Sequence, residues 1–166
     1  FSRFYSIFTQ NAKCFPMGAD ERQEHTEVSP WWGEHTHRYI EVCKLLKPSM
    51  RVFDIACGNG YGTQLISEQT QTLTTGGDIA AEAIASCQKR YAKHPLLQFQ
   101  VCDGTALPFG DATFDAVVSF ETIEHTVKSN DLAVQIELET NTKPAAQVFF
   151  RHWGGVTTAI FLFKPG

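Results

Sequence analysis

With 166 residues, 43% of them hydrophobic, the chain holds one domain's worth of material and enough apolar surface to bury a core. A formal net charge of −4 with no run of Lys or Arg weighs against nucleic acid as a partner, and the longest apolar run, Ala159 to Phe163, is far short of the roughly 20 residues of a spanning helix. No signal-peptide apolar region opens the chain, so the reading is a cytoplasmic protein without membrane association, and five cysteines with no Cys-x-x-Cys are expected as reduced thiols, not a disulfide framework or zinc site.

Residues 1–30 form an aromatic-rich flanking segment without clear periodicity, and its first residue is not Met, which suggests a fragment or processed form. From 34 to 47 the apolar spacing is helical, with Ile40, Val42, Leu45 and Leu46, and Pro48 ends it. His35 and His37 on that helix lie about 200° apart around the axis, so they cannot converge on one cation, and no metal is expected.

A strand over 51–55 runs into Asp54 and then Cys57-Gly58-Asn59-Gly60-Tyr61-Gly62, glycines at every second position before a helix at about 61–69. Gly58 and Gly60 permit a sharp turn and close approach of a ligand to the backbone. Dinucleotide fingerprints run Gly-x-Gly-x-x-Gly to hold a pyrophosphate at a helix N-terminus, but here position 63 is Thr. A strand over 73–78 ends in Asp78, close to the roughly 20-residue offset at which a carboxylate reaches ribose hydroxyls. A helix from Ala80 to about Ala92, a strand over 97–102 ending at Asp103-Gly104, and a strand over 114–120 ending at Phe120-Glu121 complete a repeated βα pattern. Asp54, Asp78, Asp103, Glu121 and Glu124 therefore line one rim, where carboxylates repel phosphate and suit a cationic ligand with free ribose hydroxyls.

In order and spacing, these four segments resemble the class I S-adenosylmethionine-dependent methyltransferases of small-molecule and sugar-modifying type, over about residues 21–128. The resemblance implies a doubly wound, mostly parallel Rossmann-like α/β sheet with helices on both faces, in a domain over 31–166, and S-adenosyl-L-methionine as cofactor. It implies cofactor contacts from Asp54, Cys57, Gly58, Gly60, Ile79 and Phe120, from Asp78 to the ribose, and from Asp103 and Gly104 about the adenine, with Tyr39 and His35 as further candidates on the preceding helix. Cys57 reads as a small packing residue beside the ligand. His125 lies past the fourth strand, where the methyl should point, and its ordinary pKa near 6.5 suits it to take a proton from a small-molecule acceptor, with Glu121 to orient it; a structural histidine is the alternative. Catalysis can come largely from holding nucleophile, methyl carbon and sulfur in line at about 3–3.5 Å.

The tail departs from the family pattern. Leu132, Val134, Ile136 and Leu138 alternate with a period of two, which argues strand where the family places a helix. The preferred alignment makes Ala145 to Trp153 the missing helix, Gly154-Gly155 a turn and Val156 to Phe163 a fifth, parallel strand, leaving the sheet incomplete at its C-terminal end. Rival readings are a truncated, non-catalytic binding remnant and, further off, an NAD-dependent oxidoreductase.

Overall fold

The computed structural model describes residues 32–110, 113–120 and 122, together with the backbone of 151–153 and 156–162. Helix α1 spans Trp32–Cys43. Strand β1, Arg51–Ile55, is followed by helix α2 at Tyr61–Thr70, β2 at Leu73–Asp78, α3 at Ala81–Arg90, β3 at Leu97–Val101 and β4 at Ala116–Phe120. Strands β5, Arg151–Trp153, and β6, Val156–Leu162, close the sheet, whose order is β3-β2-β1-β4-β6-β5.

Strands β3, β2, β1 and β4 are mutually parallel, with Val52 abreast of Thr74 and Ala116, and Thr74 abreast of Leu97. Because side chains alternate across a strand, this register puts Val52, Asp54, Leu97, Phe99 and Val118 on one face, and Phe53, Ile55 and Val117 on the other. On the first face α1, the turn after it and α2 bring Tyr39, Val42, Leu46 and Ile66 onto Val52, Ala116, Val118 and Phe120. There α3 lays Ile84 and Cys87 on Leu97 and Phe99. Fully burying side chains such as Ile66 and Val118 contributes roughly 1.5–3 kcal/mol each. The second face is covered, among the described residues, by the loop after β3, which packs Leu107, Phe109 and Phe114 on Phe53, Ile55 and Val117.

Where the chain has no glycine for a tight ending it bends all the same. Gln71 closes α2 in the left-handed region at φ 55°, its N–H on the Ser67 carbonyl, so β2 can start two residues later.

The tail corrects the sequence reading in two respects. Residues 151–153, expected at the end of a helix, form strand β5, and the strand expected over 156–163 is present as β6 but runs antiparallel to β4, with Val118 opposite Ile160. Strands β5 and β6 pair antiparallel, with Trp153 abreast of Val156, and antiparallel neighbours need no crossover. The alternating stretch at 131–139 lies outside the described residues.

Candidate functional site

The carboxyl ends of the four parallel strands form one rim, the place where open α/β sheets bind ligands. At its centre the loop between β1 and α2 turns through three left-handed residues in alternation: Ala56 at φ 59°, Gly58 at 54° and Gly60 at 77°. Glycine adopts this region freely, whereas Ala56 holds it at a cost of about 1–2 kcal/mol, which its surroundings offset. Two backbone bonds fix the turn, Cys57 N–H to the Gly77 carbonyl at 3.0 Å and Gly60 N–H to the Cys57 carbonyl at 2.9 Å.

Asp78, at the end of β2, reaches across to this loop. One carboxylate oxygen accepts the Gly58 N–H at 2.9 Å and the other accepts the Ala80 N–H at 2.9 Å. A carboxylate oxygen can accept two hydrogen bonds, so beside these each keeps capacity for a further donor on the half-exposed side of Asp78. Ile79 beside it is 71% exposed, a large apolar side chain left open at the rim.

Asp54 lies beneath the loop, wholly buried. The Thr63 hydroxyl donates to one of its oxygens at 2.7 Å and the Tyr39 hydroxyl to the other at 3.4 Å. Burial pushes its pKa up to about 7, against the two hydroxyl bonds, and the charge of Asp78 pushes the same way as burial. The Tyr39 phenol is driven well above its ordinary range by burial and by Asp54. Tyr39 is central to the site: its ring meets Phe120 edge-on at 4.7 Å and Tyr61 at 5.5 Å, and covers Gly62 so closely that a Cβ there would lie 2.0 Å from the ring.

At the end of β3, Asp103 turns on itself, accepting the Thr105 N–H at 2.8 Å and the Thr105 hydroxyl at 2.7 Å, with half-buried Gly104 between them. Cys57 packs under the loop against Cys87, Ile84 and Phe99. Thus Tyr39, Asp54, Cys57, Gly58, Gly60, Asp78, Ile79, Asp103, Gly104 and Phe120 all stand at or under one rim. His35 lies one turn before Tyr39 on α1, but its side chain, and Glu121 and His125 altogether, lie outside the described residues. Sequence reasoning missed Thr63 as the partner of Asp54, Asn59, whose side chain accepts the Tyr61 N–H at 3.2 Å, and the left-handed Ala56. No three His, Cys, Asp or Glu side chains among the described residues group closely enough to hold a metal. A cavity of about 620 Å³ beside Tyr91, Phe99 and Phe114 opens at the β3 edge, away from the rim.

Four parallel strands in the order β3-β2-β1-β4, with a glycine loop after β1 and a carboxylate closing β2, make the Rossmann-like sheet that class I S-adenosylmethionine-dependent methyltransferases share. Residues 53–150 match the family described as Methyltransferase domain, and the chain belongs to it. S-adenosyl-L-methionine is the cofactor of this family. Phosphoethanolamine N-methyltransferase 1 of Zea mays is 31% identical over 59% of this chain and 20% of its own length. Ubiquinone/menaquinone biosynthesis C-methyltransferase UbiE of Desulfotalea psychrophila is 37% identical over 63% of this chain and 37% of its own. The solved phosphoethanolamine N-methyltransferase 2 of Haemonchus contortus, in complex with S-adenosyl-L-methionine, shares the fold at TM-score 0.61 and 22% identity, over 69% of this chain and 27% of that one. The chain spans less than half the length of these relatives.

The residues present fit that cofactor. Space is open above Gly58, where an added Cβ would meet nothing within 4 Å, and beside it stand an exposed apolar side chain at Ile79 and a carboxylate with spare acceptor capacity at Asp78.

Proposed function

We propose that the chain binds S-adenosyl-L-methionine on the loop at 56–62 and transfers its methyl group to a small-molecule acceptor. The reading is carried by one observation, the Asp78 carboxylate holding the Gly58 N–H while keeping acceptor capacity toward the open side of the loop. When bound, the cofactor supplies an electrophilic methyl group on a sulfonium. Asp78 accepts hydrogen bonds from the ribose hydroxyls, Ile79 and the Asp103-Gly104 turn border the base, and Tyr39 and Phe120 wall the opposite end. Asp54 supports the loop from below, and the negative charges of Asp78 and Asp103 at the rim favour a cation over a phosphate. His125, with Glu121, takes the acceptor's proton on the methyl side, a role that rests on their place in sequence after β4.

Titration calorimetry with S-adenosylhomocysteine and, separately, NAD tests the reading. Binding of the first and not the second is expected; the reverse would make the chain a dinucleotide protein. A methyl-transfer screen over alcohol, amine and activated-carbon acceptors, repeated with His125→Asn, tests the acceptor and the proton-accepting role.

A further inference from the structure

Two thiols lie under the glycine loop. Cys57 stands in the loop and Cys87 on α3, and both are buried in one cluster with Ile84, Leu97 and Phe99. Their side chains interact directly, and neither is in a disulfide. The Cys87 thiol also donates to the Gly58 carbonyl at 3.5 Å. A Cβ built on Gly60 would lie 2.9 Å from the Cys87 sulfur, and one on Gly76 would lie 2.9 Å from the Cys57 sulfur. The pair is therefore wedged between the underside of the loop and β2, and two of the glycines leave it room.

The two sulfurs are chemically unequal. The contact with Cys57, helped by Arg90, holds the Cys87 thiol below its ordinary range, while the same contact and burial drive Cys57 well above it. A thiol held lower beside one held higher is the arrangement of an attacking and a resolving thiol.

We propose that Cys57 and Cys87 form a dithiol–disulfide switch that a hydroperoxide oxidises and that disables the loop when closed. The Cys87 sulfur attacks one peroxide oxygen; the O–O bond breaks, the leaving oxygen takes the thiol's proton and departs as water or alcohol, and Cys87 is left as sulfenic acid. The Cys57 sulfur then attacks the Cys87 sulfur; the S–S bond forms as the S–O bond breaks, and the hydroxyl leaves with the Cys57 proton as water. Two thiols have lost two electrons and the peroxide has gained them. Closure to an S–S bond of about 2.05 Å removes the Cys87 bond to the Gly58 carbonyl and shifts Cys57. The next residue's N–H is the one that Asp78 holds, so the ribose anchor is re-aimed. That consequence rests on the cofactor reading above. Both sulfurs are nearly enclosed, so the peroxide must enter past the loop, and an occupied loop shields them.

The test treats reduced protein with hydrogen peroxide, with and without S-adenosylhomocysteine, then maps linkages by mass spectrometry without reductant and measures S-adenosylhomocysteine affinity. A Cys57–Cys87 linkage is expected, slowed by the bound analogue, with at least a tenfold loss of affinity that a dithiol reductant restores, and with no such loss in Cys87→Ser. Failure to form this linkage in folded wild-type protein overturns the dithiol site, whatever the variant does. Linkage with unchanged affinity overturns the switch. Reduced protein that binds no analogue overturns the cofactor reading and the switch's consequence with it, while the linkage map still decides the dithiol site.

Discussion

Thr63 donates its hydroxyl to Asp54 at 2.7 Å, and neither side chain is reached by solvent. The bond ties the first turn of α2 to the end of β1 underneath the glycine loop, so a strand-end carboxylate, placed where aspartates are usually solvated, becomes an internal brace. Its energetics depend on pH.

With its folded pKa raised to about 7 and an unfolded value near 3.9, Asp54 keeps a proton in the folded state that the unfolded chain has lost across that window. The stability it contributes is therefore full below about pH 4 and is lost as pH rises through about 7, a few kcal/mol in all. Urea denaturation at pH 5 and pH 8 should show wild type losing most of that relative to Asp54→Asn, which has no proton to release. Equal pH dependence in the two proteins would remove the buried-acid account. Thr63→Val should destabilise the protein at pH 8 by roughly 1–3 kcal/mol, since it strips a donor from a buried carboxylate.

Asp78 braces the backbone at Gly58 and Ala80 and, on the proposed reading, accepts the ribose, and two substitutions separate the two roles. Asp78→Ala removes both loop anchors and the ribose acceptor, so S-adenosylhomocysteine affinity should fall by roughly 1.5–3 kcal/mol and thermal stability should fall with it. Asp78→Asn keeps one acceptor and should lose affinity with less change in melting temperature. Calorimetry beside a thermal melt checks both, and unchanged affinity in both variants would take Asp78 out of the site.

The strands and helices from 51 to 101 were legible because each apolar run meets a turn signal within a residue or two of its end, and the structure keeps those bounds nearly unchanged. The rim followed from topology alone, since parallel strands place all their carboxyl ends together. What the sequence hid was contact between distant residues. Nothing in the spacing of Tyr39 and Asp54 says that they meet, and Thr63 first drew notice only for not being glycine. Ala56 was hidden because a left-handed alanine leaves no compositional mark. The direction of β6 was hidden for another reason: Val156 to Leu162 reads as a strand from its residues, but parallel and antiparallel pairing differ in the partner.

That pairing gives the third prediction. Strand β6 pairs with β4 from Ala116 through Phe120, so it covers the β4 edge. A chain ending at 150 exposes the unpaired N–H and C=O groups of β4, a template for association. Its melt should lose cooperativity and its scattering should rise on warming, while the chain of residues 1–166 melts in one step. An unchanged transition in the shortened chain would mean that the β4 edge does not need β6.

The last prediction uses three glycines of the loop, which differ in what an added methyl group would meet. Gly58→Ala places its Cβ in open space, so its cost is the left-handed backbone alone, about 1–2 kcal/mol. Gly60→Ala adds contacts at 2.8 Å to the Phe99 ring and 2.9 Å to the Cys87 sulfur on top of the same backbone cost, and should lose about 3 kcal/mol. Gly62→Ala sets its Cβ 2.0 Å from the Tyr39 ring, which is pinned by Phe120, Tyr61 and Asp54 and cannot yield without disturbing the packing of α1 on α2. It should be the least stable of the three although its backbone φ is not left-handed. Ligand affinity should follow a different order from stability. The space above Gly58 is where a cofactor would approach the backbone, so Gly58→Ala should weaken S-adenosylhomocysteine at least tenfold while remaining the most stable variant. Denaturation and calorimetry on the three proteins read the two orders independently. If Gly58→Ala binds as wild type does, the open space over the loop is not the ligand's place, and the loop is a turn that joins β1 to α2.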